Sequence, residues 1–389
     1  MNHYDSMRYE LDYALPQIRI KFPLRPDTLS RDYWIEKCKA EVVDADGVRR
    51  TATMGINVKG RGNSTFAQAK RPYNIKLEEP LSILGLPPRN RYVLLANFFD
   101  HSLMRNALAF EVARQTSLAS TTPQGRFVEL VVNDESQGLY FLCERVKDMV
   151  GKESILLEFD TYAYKEDKIV FKTKRNGLPV SVRNPDKLPK PLREKMKMLV
   201  NGLDSLSSEY VDLLSFVDYF IVQELCQNAE PNGPRSCFVH SNANNCFVAG
   251  PVWDFDLAFN SVGIDSLNET CPMALSEQKS MRLFTSDSLY NKKALWYGAY
   301  LKDSAFVAML QERWGELSPR FEGLTVYVNR LDSLIHLAAV DDQKKWNHQD
   351  RSRYDTCSTY QSAVEELRSG YVRRIIKLDS IINNLPVKD

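Results

Sequence analysis

Cys246-Phe247-Val248-Ala249-Gly250-Pro251-Val252-Trp253-Asp254-Phe255-Asp256-Leu257-Ala258-Phe259-Asn260 sets two carboxylates inside an otherwise apolar run. Read as a strand of period two, it puts Val252, Asp254 and Asp256 on one side and Trp253, Phe255 and Leu257 on the other. Carboxylates that share a face repel each other unless a cation, a basic side chain or a shared proton lies between them. With oxygen ligands alone and no His or Cys alongside, Mg²⁺ or Mn²⁺ suits such a pair better than zinc. The alternative at this point is a pair of solvated acids at a strand end, or acids that cap the next turn.

Upstream of this run, the first 185 residues read mainly as strands. Gln17–Phe22, Ile35–Val43, Thr51–Val58, Tyr73–Leu77, Tyr92–Ala96, Phe127–Val132 and Leu139–Val146 are short runs rich in Val, Ile, Tyr and Phe, divided by turn residues. Asp46-Gly47 is a hairpin signal. One helix interrupts them, over Ser102–Gln115, with Leu103, Ala107 and Phe110 at helical spacing behind an Asp100 or Ser102 cap. After Pro185 and the Lys/Pro-rich stretch Lys187–Lys197 the pattern turns helical. Leu214, Val217, Ile221 and Leu225 form one stripe that stops at the breakers Pro231-Asn232-Gly233-Pro234, and further helices are predicted over 304–317, 324–338 and 364–385. The expectation is an α+β fold: an N-terminal extension over 1–14, a β-rich part over 15–185 and a mainly helical part over 186–389.

A chain of 389 residues exceeds one ordinary core, and 43% hydrophobic residues argue against disorder. Its 51 Lys and Arg nearly cancel 50 Asp and Glu, which removes the global electrostatic argument for a nucleic-acid partner. No apolar run reaches the ~18 residues of a membrane span. Met1–Phe22 is charged from its start and lacks a leader-type apolar segment, so the sequence as written reads as soluble, and as exported only if a leader was removed. The seven cysteines are scattered without C-x-x-C spacing, which argues against a zinc site or disulfide framework and for buried thiols. Asn63-Ser64-Thr65 and Asn268-Glu269-Thr270 match the glycosylation tripeptide, a pattern common by chance.

Four other stretches carry candidate chemistry. Lys59-Gly60-Arg61-Gly62-Asn63 joins two strands through glycines and cations, so that backbone N–H groups can approach a phosphate; as an ordinary basic turn it needs no ligand. In Tyr73-Asn74-Ile75-Lys76-Leu77, Lys76 alternates away from Ile75 and Leu77, while Glu144 shares a face with Tyr140, Leu142 and Val146. A carboxylate on that face needs a cation, for which Lys76 and Arg61 are the nearest candidates by pattern; the alternative is a strand-end Glu in solvent. Asn228-Ala229-Glu230 supplies an amide and an acid at a helix end before the Asp pair, the order in which phosphoryl transfer uses a hydroxyl-orienting acid and a metal-binding Asp. Either residue serves equally as a helix C-cap.

Taken together, RGNST, KRPYNIKL, ILGLPPRNRYVLLANFFDHSLMRNALAFEVA, RFVELVVNDESQGLYFLCERV, VDYFIVQELCQNAE and FVAGPVWDFDLAFN, in this order, resemble the CotH family of spore coat protein H-like atypical protein kinases, in a Bacteroidetes-type form. The resemblance implies a divergent protein-kinase-like fold, ATP with Mg²⁺ or Mn²⁺, and transfer to Ser or Thr of a protein substrate; a monomer without nucleic acid or membrane span is expected. The resemblance also implies that Asp254 binds the metal with Asp256 as companion, that Trp253 and Phe255 pack so as to aim the acids, that Lys76 and Glu144 form the lysine and its ion-pair partner, and that Arg61 lies in the nucleotide-side loop.

One departure stands out. Many relatives have Asn-x-Asp where this chain has Asn228-Ala229-Glu230, and the extra methylene displaces the carboxylate by more than ~1 Å, enough to cost about a hundredfold in rate. The expectation is therefore an ATP-dependent kinase in which Glu230, supported by Asn228, orients the acceptor hydroxyl. Its rivals are a pseudokinase-like binding or scaffolding module without phosphotransfer, and a metal-dependent hydrolase that uses the Asp pair to activate water.

Overall fold

Period-two alternation carries through seven strands: β1 (Gln17–Lys21), β2 (Ile35–Val43), β3 (Met54–Gly60), β4 (Tyr73–Leu81), β5 (Arg89–Leu95), β6 (Gly125–Val132) and β7 (Glu135–Cys143). In the computed structural model they close into a barrel of order β1-β2-β3-β4-β5-β7-β6. Every pairing is antiparallel except β1 with β6, which closes the barrel in parallel with Gln17 opposite Glu129 and Ile20 opposite Val132. Residues such as Ile18, Val58, Ile75, Leu94, Leu130 and Leu142 fill the interior. All seven expected strands are present, with β5 and β6 starting earlier and β7 ending earlier than the sequence suggests.

The structure describes residues 15–23, 29–44, 48–164, 170–174, 176–187, 189–203, 210–242, 246–259, 288–346 and 357–387. The expected extension 1–14, the Asp46-Gly47 turn and the Asn268–Thr270 tripeptide lie outside these residues. Two compact units divide the chain: residues 1–107, 124–145 and 326–366 in the barrel unit, and residues 108–123, 146–325 and 367–389 in the second.

Among the described residues, helices from both halves of the chain contribute to the barrel unit, which takes the first residues of α1 (Arg105–Arg114). Helix α6 (Thr325–Lys345) buries Val328, Leu331, Ile335, Ala339 and Asp342 along one stripe, and the unit also takes the first residues of α7 (Tyr360–Asn383). Asp342 is an acid on an apolar stripe, and it is matched. Its Oδ1 lies 2.7 Å from Lys70 Nζ, with both side chains at 0% exposure, and it accepts the Leu139 N–H at 2.9 Å. Lys70 Nζ also sits 4.8 Å from the centre of the Tyr140 ring. Gly138, at φ +84°, permits this approach, because a Cβ there would lie 2.2 Å from Asp342 Oδ1. Trp346 Nε1 donates to the Gln137 carbonyl at 2.9 Å and fixes the end of the same helix.

The second unit holds a five-stranded antiparallel sheet of order β12-β11-β8-β10-β9. Its strands are β8 (Leu156–Phe159), β9 (Phe171–Lys172), β10 (Pro179–Asn184), β11 (Cys237–Ser241) and β12 (Phe247–Ala249). The unit also takes most of α1 (Arg105–Arg114), with α2 (Lys190–Gly202), α3 (Leu213–Leu225), α4 (Tyr297–Tyr300), α5 (Ser304–Gly323) and the remainder of α7. The chain is thus a mixed α+β protein, β-rich in its first part and helical in its last. Helix α3 is capped by Asp212, which accepts the Ser215 N–H, and is buried from Ser215 to Leu225. Aromatic rings of Phe216, Phe220, Trp296, Tyr297, Tyr300 and Phe306 meet edge-to-face or tilted around it.

Two charged residues of α3 are buried with partners. Glu224 accepts from Arg374 at 2.8 Å and from the Tyr290 and Asn291 N–H groups, and Asp218 accepts from Arg313 at 2.9 Å and from the Ser117 N–H at 2.8 Å. The Lys/Pro-rich stretch conceals α2, which accepts Pro191 in its first turn, where a missing N–H costs nothing. Helix α5 runs on through Pro319, beyond its expected end. The six described cysteines are free, and Cys38, Cys143, Cys226 and Cys237 are buried. Among the described residues no helix is long and apolar enough to cross a membrane.

Removing one partner of the Lys70–Asp342 pair strands the other charge in the interior. Lys70→Met is expected to cost about 3–5 kcal/mol in urea unfolding. The double variant Lys70→Met/Asp342→Leu is expected to recover part of that and to retain about 1–3 kcal/mol, because the Leu139 N–H loses its acceptor.

Candidate functional site

The run around the Asp pair is not a strand beyond Ala249. Only Phe247–Ala249 pairs in the sheet; Pro251 has no N–H to give a ladder, Gly250 stands at φ +97° and Asp254 at φ +68°. The left-handed turn at Asp254 breaks the expected alternation, so apolar residues on both sides of the acids are buried: Val252 and Phe255 fully, Trp253 against Phe110 with ring centres 5.8 Å apart. The two acids accordingly differ in setting. Asp256 is buried and Asp254 is partly exposed.

Helix α3 ends at Leu225, and Gln227 at φ +48° turns the chain away from its axis. Asn228 follows, almost fully buried, and bridges the turn to the Asp run: its Oδ1 accepts the Glu230 N–H at 3.3 Å and its Nδ2 donates to the Asp254 carbonyl at 3.5 Å. Glu230 opens one turn of 3-10 helix over Glu230–Asn232. Its carboxylate lies 2.8 Å from Arg235 Nε. Ser236 Oγ donates to Asp254 Oδ2 at 3.0 Å. The loop after β8 is pinned to the same place by the Thr161 N–H, which donates to the Pro234 carbonyl at 2.7 Å, and Tyr162 sets its ring 5.8 Å from the Arg235 guanidinium.

Burial pushes the Glu230 carboxyl up to about 8; Arg235 opposes the shift, and Asp254, Asp256 and Asp160 add to it. That ordering places three further acids within electrostatic reach of Glu230. The second unit therefore brings Asn228, Glu230, Asp254 and Asp256 together as one site. Asp160, Arg235, Ser236 and Tyr162 belong to it too and were not chosen as site residues from the sequence. Arg235 and Ser236 carried one signal, as the first polar residues after the breakers; Asp160 carried none, since only the β8–β11 pairing brings its loop near.

Arg61, Lys76 and Glu144 lie in the barrel unit. Glu144 is buried just past the end of β7, where Oε1 accepts from Arg89 Nε at 2.8 Å and Oε2 from the Gln124 N–H at 3.1 Å. The expected ion pair with Lys76 is therefore corrected: the cation on Glu144 is Arg89. Geometry explains it. Lys76 stands opposite Asn57 and Arg91 on the outward side of β4, between the interior residues Ile75 and Leu77, whereas Glu144 continues the interior series of Tyr140 and Leu142. Arg61 lies close enough to the buried Cys143 to counter the upward push that burial gives its thiol.

The acidic side chains within electrostatic reach of Glu230 in the second unit offer oxygen donors. Among the described residues no group of three or more His, Cys, Asp or Glu is arranged to hold a metal ion by itself. Two carboxylates suffice for Mg²⁺ when substrate phosphates complete its shell, so the donor set fits a cation that arrives with a nucleotide.

No curated protein matches the chain in a sequence search. The family model described as CotH kinase protein matches residues 58–374, from the end of β3 into α7. That span contains every residue of both site groups, and the chain belongs to the CotH kinase protein family.

Proposed function

We propose that the chain is an atypical protein kinase with a divergent kinase-like fold that acts as a monomer and transfers the terminal phosphoryl group of ATP to Ser or Thr of a protein. The observation that carries this reading is the convergence of Glu230, Asp254 and Asp256 behind the end of α3, with Asn228 bonded to both stretches. Mutual repulsion among these acids makes the site a receptor for positive charge.

Asp254 and Asp256 would hold a Mg²⁺ or Mn²⁺ ion. Bound with ATP, the cation supplies charge neutralisation at the phosphates and the nucleotide supplies the group to be transferred. In its ionised form, which a cation on the neighbouring acids would favour, Glu230 receives the proton of the acceptor hydroxyl on a carboxylate oxygen, and Asn228 fixes its backbone. The nucleotide-side roles that the family resemblance implies for Lys76 and Arg61 belong to the barrel unit taken by itself, where Arg89 neutralises Glu144 without using either of them. A non-catalytic scaffolding role is the second reading. It is favoured by glutamate in place of the shorter acid at 230 and by the ion pair that holds its carboxylate.

Labelled ATP with Mn²⁺ tests the first reading directly. Label is expected to enter protein Ser or Thr, and Asp254→Ala is expected to lose nucleotide binding; no transfer together with unchanged binding in that variant overturns it. Glu230→Asp separates the two readings. A loss of about a hundredfold supports Glu230 as the working base, and a gain of that size supports the scaffold.

The metal-free protein carries a second signature. The folded-state value of Glu230, about 8, exceeds its ordinary 4.5, so the folded chain keeps a proton that the unfolded chain has lost. Stability from this group is fully present below pH 4.5 and is lost as pH rises through 8. Melting temperature should fall across that window in the metal-free wild type and fall less in Glu230→Gln.

A further inference from the structure

Asp254 and Glu230 are each gripped by a neighbour on the segment that leads into β11. Arg235 is tied to Glu230 twice: its backbone N–H donates to the Glu230 carbonyl at 3.1 Å, and its Nε lies 2.8 Å from Glu230 Oε2. The side-chain contact is charge against charge, without hydrogen-bond alignment. Among the described residues, Glu230 Oε2 is a buried atom whose hydrogen-bonding capacity is unused, and so is Arg235 Nε. A hydroxyl that reaches Glu230 finds an acceptor atom already positioned.

Ser236, the next residue, stands at φ +50°, and the Asp254 it binds stands at φ +68°. Residues other than glycine hold this conformation only where their surroundings over-determine it, and they cluster at functional sites. Here two of them face each other across a 3.0 Å hydroxyl-to-carboxylate bond. The Ser236 hydroxyl occupies Oδ2 of Asp254 and thereby sets the rotation of the carboxylate. Asn228 closes the ring, because it bonds the backbone of both acids.

We propose that Arg235 and Ser236 are positioning residues for the transfer: Arg235 fixes the carboxylate of Glu230, and Ser236 fixes the rotation of Asp254, which would hold the cation. Arg235 is thus the counterpart of the extra methylene at 230, holding back a longer acid. This inference rests on the kinase reading and goes beyond it by assigning two residues that touch neither nucleotide nor acceptor.

The full chain with Mn²⁺ and a non-hydrolysable ATP analogue provides the test, read by calorimetry, alongside turnover with ATP. Ser236→Ala is expected to weaken Mn²⁺ binding by roughly tenfold to a hundredfold, the range for residues that orient a metal ligand, and Ser236→Thr to restore it. Arg235→Ala is expected to keep Mn²⁺ binding and the KM for ATP while kcat falls by a similar factor, with partial recovery in Arg235→Lys. A purely structural role would lower melting temperature without that split between binding and turnover. Should Ser236→Ala melt early, the rise in its melting temperature on adding Mn²⁺ still reports affinity. Variants that bind and turn over like the wild type overturn the inference and leave the kinase reading standing. A wild-type chain that binds no Mn²⁺ with the analogue overturns the kinase reading, and the inference falls with it.

Discussion

Repulsion felt by one buried acid is the constraint on which the rest of the site depends. Asp254, Asp256 and Asp160 all act on Glu230, and the guanidinium of Arg235 opposes them. Such a group of charges is unstable as an unorganised cluster, since each carboxylate removed from water requires a partner or a proton. The surrounding structure supplies order before it supplies neutrality. Asn228 bonds two backbone segments, Ser236 holds a carboxylate oxygen, and the left-handed residues Gln227, Ser236 and Asp254 turn the chain at each corner.

The barrel unit solves a related problem in another way. Glu144 and Asp342 are acids carried on apolar faces, and each has its own cation, Arg89 and Lys70. Backbone N–H groups complete both sites, from Gln124 in one case and Leu139 in the other. These pairs are closed, because every charge has found its opposite. In the second unit the acids lie close to one another instead, and Glu230 shares its surroundings with three of them.

How much of this was legible in the sequence depended on the range of the interaction concerned. Strands β2 and β4 and helix α6 were readable because alternation and the Val328–Leu331–Ile335 stripe are local. Closure of the barrel was not, since the parallel pairing of β1 with β6 joins residues more than a hundred positions apart. The reading of the Asp run as a strand failed at Pro251 and Asp254, where a missing donor and a left-handed residue override the apolar pattern. Even so, the residue types were informative: acids that share a short apolar stretch with aromatic neighbours do lie with Glu230 in space. Arg89 went unnoticed because the pairing of β5 with β7 had to be known before it came near Glu144.

The closed barrel has a consequence for how that unit meets polypeptides. A sheet without edges offers no row of unused N–H and C=O groups, so an extended peptide has nowhere to join as an additional strand. The barrel wall presents side chains instead, among them the Trp34 ring that Lys59 and Arg91 flank, so a contact made there reads charge and shape and not strand pairing.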